Sequence, residues 1–286
     1  MKLLKENYEG LQDVDKLCPR LRKFLSNPEV QEAFQKSDFS TLYKELRKTD
    51  SYDIVGNFTR LLNNLNIDPL NYLDSMPNGF LTRTTIKHIN IPDHITSIGD
   101  SAFYDCTGLT SVTIPDSVTS IGNYTFNNCS SLKNITIPNN VTSIGDKIFE
   151  NCTGLTNVTI PDSVTNIGEE AFRGCSGLTN VTISNSVTSI RYATFYDCTS
   201  LVDIIIPDGV KIIGNAAFNN CKKLKNIMIP NSVINIYYHA FYNCLSLREI
   251  HYNGTKQSWR KITKDRSWKT ASAIKTIHCI DGDIAL

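Results

Sequence analysis

Seven cysteines recur at an unbroken interval of 23 residues, at Cys106, Cys129, Cys152, Cys175, Cys198, Cys221 and Cys244, and each follows a phenylalanine by three positions. Self-similarity at a period of 20 to 50 residues marks a solenoid, whose units cannot bury an apolar face alone and must stack on neighbours. Other columns keep the same beat. Phe103 to Phe241 form one, and Leu109 to Leu247 another. Proline stands at 92, 115, 138, 161, 207 and 230, with Ser184 as the exception.

Within a unit, Val112 and Ile114 alternate with Thr113, a period of two that predicts a short strand with one buried face. Pro115 lacks the N–H that a ladder needs and should end the strand. Val118 and Ile121 supply the next wall as a second short extended segment. The stretch from Gly122 to Cys129 suits a helical turn or an irregular arc. Arg191 and Tyr237 stand where Gly122 stands in its unit, so this column does not require a positive φ, and glycine there serves compactness.

The unit Ile-Pro-Asp-Ser-Val-Thr-Ser-Ile-Gly-x-x-x-Phe-x-x-Cys-x-x-Leu-x-x-Val-x resembles the BspA-type leucine-rich repeat, over about Ile86 to Asn253. The segment from Tyr252-Asn253-Gly254-Thr255 through Trp259 and Ile262 to Ile277–Asp283 resembles the closing segment of such arrays. The resemblance implies a curved solenoid with a strand-lined concave face, acting in protein binding or adhesion, and no catalytic activity. The fold class expected is an α+β repeat solenoid. It is a leucine-rich-repeat horseshoe with short parallel strands on the concave face, preceded by a small helical region. The expected divisions are 1–80 (helical), 81–252 (the array) and 253–286 (a C-terminal cap).

A net charge of +1 over 286 residues argues against a general nucleic-acid binder. No run of 18 apolar residues predicts a transmembrane helix. The first ten residues carry no apolar stretch of the signal-peptide kind, so export has no support at this level. Equivalent cysteines in adjacent coils would lie close enough for a disulfide, but their side chains should point in parallel into one core, and a straight ladder cannot converge four ligands on zinc. They are read as buried free thiols. Cys18 and Cys279 fall outside the register.

Before the repeats, Asn27-Pro28-Glu29 is a helix start signal, followed by Val30, Ala33 and Phe34. Phe39, Leu42, Tyr43 and Leu46 keep helical spacing. Ile54, Val55, Phe58, Leu61, Leu62 and Leu65 form an apolar stripe, and Asp68-Pro69 opens one more turn. Two uses remain open for this segment: a cap over the first coil, or a separate effector or docking module.

The search for chemistry finds no catalytic constellation, phosphate loop or metal-ligand spacing, so no cofactor is expected. Asp281-Gly282-Asp283 lacks the other ligands of a calcium loop and reads as a turn. Lys256, Trp259, Arg260, Lys261, Lys264, Arg266, Trp268 and Lys269 form a basic and aromatic cluster, in which the tryptophans should seal the last coil while the lysines stay in water. If Val112 points inward, residues 111 and 113 and their equivalents pave the exposed sheet. That surface is short and polar in the first five coils and changes in the last three. There Val202, Ile205 and Met228 bring apolar atoms to the open face, bordered by Asp203, Lys225, Arg248, Glu249 and His251. Apolar groups rimmed by charge make these eight residues the candidate binding site. The competing account is drift in an unused surface, or packing against the C-terminal cap. The function expected is non-enzymatic recognition of a protein, or of a surface glycan, with no nucleic-acid partner. The alternative is an array that targets an N-terminal effector module.

Overall fold

The computed structural model describes residues 23–36, 38, 41, 42, 45, 46, 48, 58, 70, 73–84 and 86–286. Each coil contributes a strand to one row, formed by β1 (His88–Asn90), β3 (Ser111–Thr113), β5 (Asn134–Thr136), β7 (Asn157–Thr159), β9 (Asn180–Thr182), β11 (Asp203–Ile205), β13 (Asn226–Pro230), β15 (Glu249–Asn253) and β17 (Thr276–Cys279). Two-residue strands form a second row: β2 (Ser97–Ile98), β4 (Ser120–Ile121), β6 (Ser143–Ile144), β8 (Asn166–Ile167), β10 (Ser189–Ile190), β12 (Ile212–Ile213), β14 (Asn235–Ile236) and β16 (Thr263–Lys264). Paired strands run parallel, as in His88 opposite Ser111 and Asn157 opposite Asn180, and only the final strand, β18 (Gly282–Ala285), turns back antiparallel against β17. This is the parallel-strand solenoid that the columns predict.

Alternation works as the period implies: Ser111 and Thr113 are exposed while Val112 is buried between them. Proline ends the strand in most coils, but β13 runs on through Pro230, which lies opposite Asn253 and keeps a carbonyl for pairing. At the exceptional corner the Ser184 hydroxyl accepts the Ser186 N–H at 3.0 Å, a local turn that replaces the fixed φ of proline.

The segment from Gly122 to Cys129 is an arc of successive turns. Two residues per coil hold left-handed backbone. The first column (Ser101, Tyr124, Lys147, Glu170, Ala193, Ala216 and His239) has φ between 48 and 57°. The second (Asp105, Asn128, Asn151, Gly174, Asp197, Asn220 and Asn243) has φ between 57 and 70° and uses the residue types that tolerate this region best. A left-handed non-glycine residue costs roughly 1 to 2 kcal/mol. The return is an alternation in which every second N–H leaves the coil: Ser101, Phe103 and Asp105 donate to the carbonyls of Asn123, Thr125 and Asn127. The intervening N–H groups close turns three residues back, as Cys106 does to Phe103.

Glycine at 99, 122, 145, 168 and 214 has no positive φ; a Cβ on Gly168 would sit 2.5 Å from the Asp146 nitrogen of the coil below. Close coil-to-coil approach is therefore the reason for this column.

The interior is continuous. Phenylalanine rings from Phe103 to Phe241 stack with centroids 5.1 to 5.6 Å apart. Beside them each thiol from Cys129 onward donates to the phenylalanine carbonyl one coil down, for example Cys152 to Phe126 at 3.0 Å and Cys244 to Phe218 at 3.1 Å, while Cys106 donates to Leu81 at 2.9 Å. Cysteine is thus a small apolar filler whose weak donor satisfies a buried carbonyl. Burial raises these thiol pKa values, that of Cys244 to about 12. With so little thiolate, native alkylation of the seven columnar cysteines should run about 10³-fold slower than in denaturant. Mass spectrometry after brief iodoacetamide treatment checks this; rapid native labelling of Cys152 would refute the packing.

Half a coil precedes the first cysteine. Met76 pairs with Ile98, and the N–H groups of Gly79, Leu81 and Arg83 donate to Asp100, Ala102 and Tyr104. Thr84 takes the cysteine's place, with its hydroxyl 3.4 Å from the Cys106 sulfur. Upstream, α1 (Pro28–Gln35) begins at the predicted signal, and the Asn27 side chain accepts the Glu29 N–H at 3.0 Å. Phe24, Leu25, Val30, Leu42, Leu46 and Phe58 are buried in the same cluster as the coils. The expectations placed on Cys18, Phe39, Tyr43, Ile54, Val55, Leu61, Leu62, Leu65 and Asp68-Pro69 lie outside the described residues.

The last coil is longer, because α2 (Lys256–Lys261) is inserted in it, with Thr255 as its cap. Trp259 and Trp268 are buried, and Trp268 meets Phe241 edge-on at 5.9 Å, closing the phenylalanine stack. One lysine departs from the reading that all stay in water. Lys264 falls opposite Ile236, in a core column, and its ammonium donates to the Trp259 and Ile262 carbonyls at 2.7 Å while lying 4.9 Å from the Trp259 ring. Burial lowers its pKa. The carbonyls and the indole face supply what water would have supplied.

Candidate functional site

The strand row carries three side-chain columns on its open face. The outer one runs through Val202, Lys225, Arg248 and Lys275, stacked by the N–H of Lys225 on the Val202 carbonyl and that of Lys275 on Arg248. The middle one runs Asp203, Asn226, Glu249, Thr276, and the third Ile205, Met228, His251, His278.

All eight sequence-selected residues therefore lie on three adjacent coils of one face. Val202 is half-buried; the others are exposed. Ile205 and Met228 are neighbours with 66% and 45% of their surfaces open, and thus form a continuous apolar strip of two coils where earlier coils place threonine. A shallow depression of about 210 Å³ adjoins Ile205 and is shared with Thr182 and Asp203. A larger groove of about 410 Å³ lies between Lys225, Arg248 and Glu249, with Leu245 and Ser246 on its floor and wall. The Asn226 amide donates to the Asp203 carboxylate.

His251 and Glu249 join a network that the 23-residue spacing does not reveal. His251 stacks on His278 at 5.1 Å. The His278 ring binds Asp283 at 2.9 Å through Nδ1 and Glu249 at 3.3 Å through Nε2. Two carboxylates on one ring favour the imidazolium, since only that form donates from both nitrogens. The His278 pKa is accordingly raised, by Asp283 first and Glu249 second. A raised native pKa gives stability that is complete below the ordinary imidazole value of about 6.5 and is lost as pH climbs through the raised one. Amide exchange in the β17–β18 hairpin should therefore accelerate, beyond its intrinsic pH dependence, on going from pH 6 to pH 8. His278→Gln should remove that excess; an unchanged excess would assign it elsewhere.

Sequence reasoning missed His278 because the inserted helix places it 27 positions after His251. It also missed Leu245, 55% exposed where earlier coils carry serine, threonine or, in the coil before, Lys222, and it missed Lys222, Lys223 and Lys275 beside the groove. The signal for the lysines was present as Lys222-Lys223-Leu224-Lys225. Asp281-Gly282-Asp283 runs from the hairpin turn at Ile280 and Asp281 into β18: Gly282 has φ 113°, Asp281 accepts the Lys256 N–H, and Asp283 holds His278. Among the described residues no group of three or more His, Cys, Asp or Glu side chains could hold a metal ion, and no helix is long and apolar enough to cross a membrane.

A parallel array of coils with a leucine column, a phenylalanine spine and a strand-lined open face defines a leucine-rich-repeat protein. The chain belongs to the BspA-type leucine-rich repeat family, whose profile matches residues 74–201 and 142–265. It is similar to a leucine-rich repeat protein from Bacteroides ovatus (29% identity, 73% of this chain and 59% of that one, TM-score 0.59). It is also similar to a leucine-rich repeat protein from T. pallidum (28% identity, 53% and 72%, TM-score 0.50). A leucine-rich cell surface protein from Faecalibacterium prausnitzii shares 30% identity over 68% of this chain and 61% of that one, with TM-score 0.49. The chain spans about three fifths of the length of the B. ovatus and F. prausnitzii proteins. No curated protein matches it in sequence.

Proposed function

We propose that this chain is a non-enzymatic recognition protein of adhesion type, which holds a protein or a surface glycan on the strand face of its last three coils. The observation that carries the reading is the strip of Ile205 and Met228, exposed at positions where the earlier coils place threonine. Val202 flanks it, and Asp203, Lys225, Arg248, Glu249 and His251 border it. Nothing in the array's own packing needs these apolar groups in water, and an apolar centre with a charged rim is the usual anatomy of a contact surface.

Ile205→Ser combined with Met228→Ser tests it. The double variant should keep its melting temperature within about 2 °C, because both side chains are already exposed, and should lose at least about tenfold in affinity for partners captured from co-resident cells. Unchanged affinity would sink the assignment. For residues before the array we favour a cap, on the burial of Leu25, Val30 and Leu46 in the common cluster. Removing residues 1–72 should then make the array aggregate, whereas loss of an independent effector module would leave it monodisperse.

A further inference from the structure

The outer column of the strand face changes character along the array. The early coils carry Lys87, Thr110, Lys133, Thr156, Thr179 and Val202, and then Lys225, Arg248 and Lys275 follow one another on three consecutive coils. Lys222 and Lys223 enter from the turn beside them, and both are exposed. None of these five cations has an ion-pair or side-chain hydrogen-bond partner among the described residues. The nearby acids are engaged: Glu249 faces His278 and Asp203 takes the Asn226 amide. A chain whose net charge is +1 thus gathers unneutralised positive charge along one edge of its last coils.

We infer that this edge and the Ile205–Met228 strip together hold an acidic, amphipathic peptide segment in extended conformation, its carboxylates on Lys225, Arg248 and Lys275 and its apolar side chains on the strip and on Leu245. The inference rests on the proposed function and names the partner's chemistry. Two features select a peptide over an anionic glycan or nucleic acid. The positive and apolar rows run parallel with the Asp203, Asn226 and Glu249 row between them, whose acids are already engaged, and an extended peptide presents acidic and apolar side chains from one backbone, which a sulfated sugar chain does not. The groove between Lys225 and Arg248 also has Leu245 in its wall, so an entering group meets charge and hydrocarbon together. Charge complementarity of this kind governs encounter rate and register, while the apolar centre sets the lifetime.

The probe is a fluorescein-labelled peptide of alternating glutamate and leucine, read by anisotropy against the full chain at 50 and 300 mM salt. Matched probes are a lysine–leucine peptide, a polyglutamate, a sulfated polysaccharide and a DNA duplex. The glutamate–leucine peptide should bind tightest and weaken with salt. Lys225→Glu with Arg248→Glu and Lys275→Glu should weaken it at least about tenfold with an unchanged melting temperature, and should improve the lysine–leucine peptide. Ile205→Ser with Met228→Ser should weaken it too, but leave polyglutamate as it was. Equal binding by the charge-reversed variant, tighter binding of polysaccharide or DNA, or no binding of the glutamate–leucine peptide would each overturn the inference. In any of those outcomes, loss of cell-derived partners by the Ile205→Ser/Met228→Ser variant would show the recognition face standing with a partner of other chemistry. Retention of those partners would remove the face as well.

Discussion

Phe172→Ala is expected to destabilise the array by about 3 to 5 kcal/mol and to lower its melting temperature by on the order of 10 °C. The ring is fully buried and stacks on two others, with centroids 5.4 Å away on either side. Truncation therefore removes two aromatic contacts and leaves a void that Cys175, Leu178 and Val187 cannot fill without shifting coils tied by backbone bonds. Its position near the middle adds a second expectation. Stability in a repeat array is a sum of unit and neighbour terms, so a weakened central interface uncouples two halves. Thermal unfolding of the variant should broaden or split, and hydrogen exchange should locate the earliest opening around 149–195. A single sharp transition at an unchanged temperature would contradict this view of the spine.

Trp268→Ala is the matching experiment at the end of the spine. Trp268 covers Phe241 edge-on and touches Trp259 at 6.1 Å, so its loss also costs about 3 to 5 kcal/mol, but locally. Exchange should rise in 249–286 and remain near wild type in the central coils. The uncovered surface holds Phe241 and Trp259, both buried in the parent. Exposed apolar coil ends recruit further copies, so light scattering should show concentration-dependent association. A monodisperse variant with uniform exchange would mean that the closing coil is dispensable.

The regular coils were legible because three constraints agree at each position: alternation at Val112 and its equivalents, the proline corner, and the stacked phenylalanine, cysteine and leucine columns. The arc was less so. Asp105, Asn128, Asn151, Gly174 and their successors do announce left-handed backbone, but the partner column of Ser101, Tyr124, Lys147 and Ala193 carries no such preference, since inter-coil hydrogen bonds impose it. Both ends escaped the period for a geometric reason. Met76 meets Ile98 after 22 residues and Asn235 meets Thr263 after 28, so counting by 23 misplaces Thr84, Lys264 and His278. The apolar half of the candidate site could be read from Ile205 and Met228 alone. Its positive half could be read only in part: Lys225 and Arg248 keep the 23-residue interval, whereas Lys275, 27 positions after Arg248, joins them only once the final coil's register is known.

The one-way hydrogen bonding of the arcs has a consequence for assembly. After its opening glycine, each arc sends its outgoing N–H groups toward the C-terminal neighbour, from Gly79 onto Asp100 through to Phe241 onto Trp268, whereas the strand rows donate both ways, as Thr110 does to Lys87 and Ile91 to Thr113. The row of arcs therefore makes a polar rod, with donors facing the next coil and acceptors facing the previous one. Two copies could extend the pattern only head to tail, a heterologous contact that does not close and so propagates into a fibre. Dissimilar terminal structures are what keep such a rod finite.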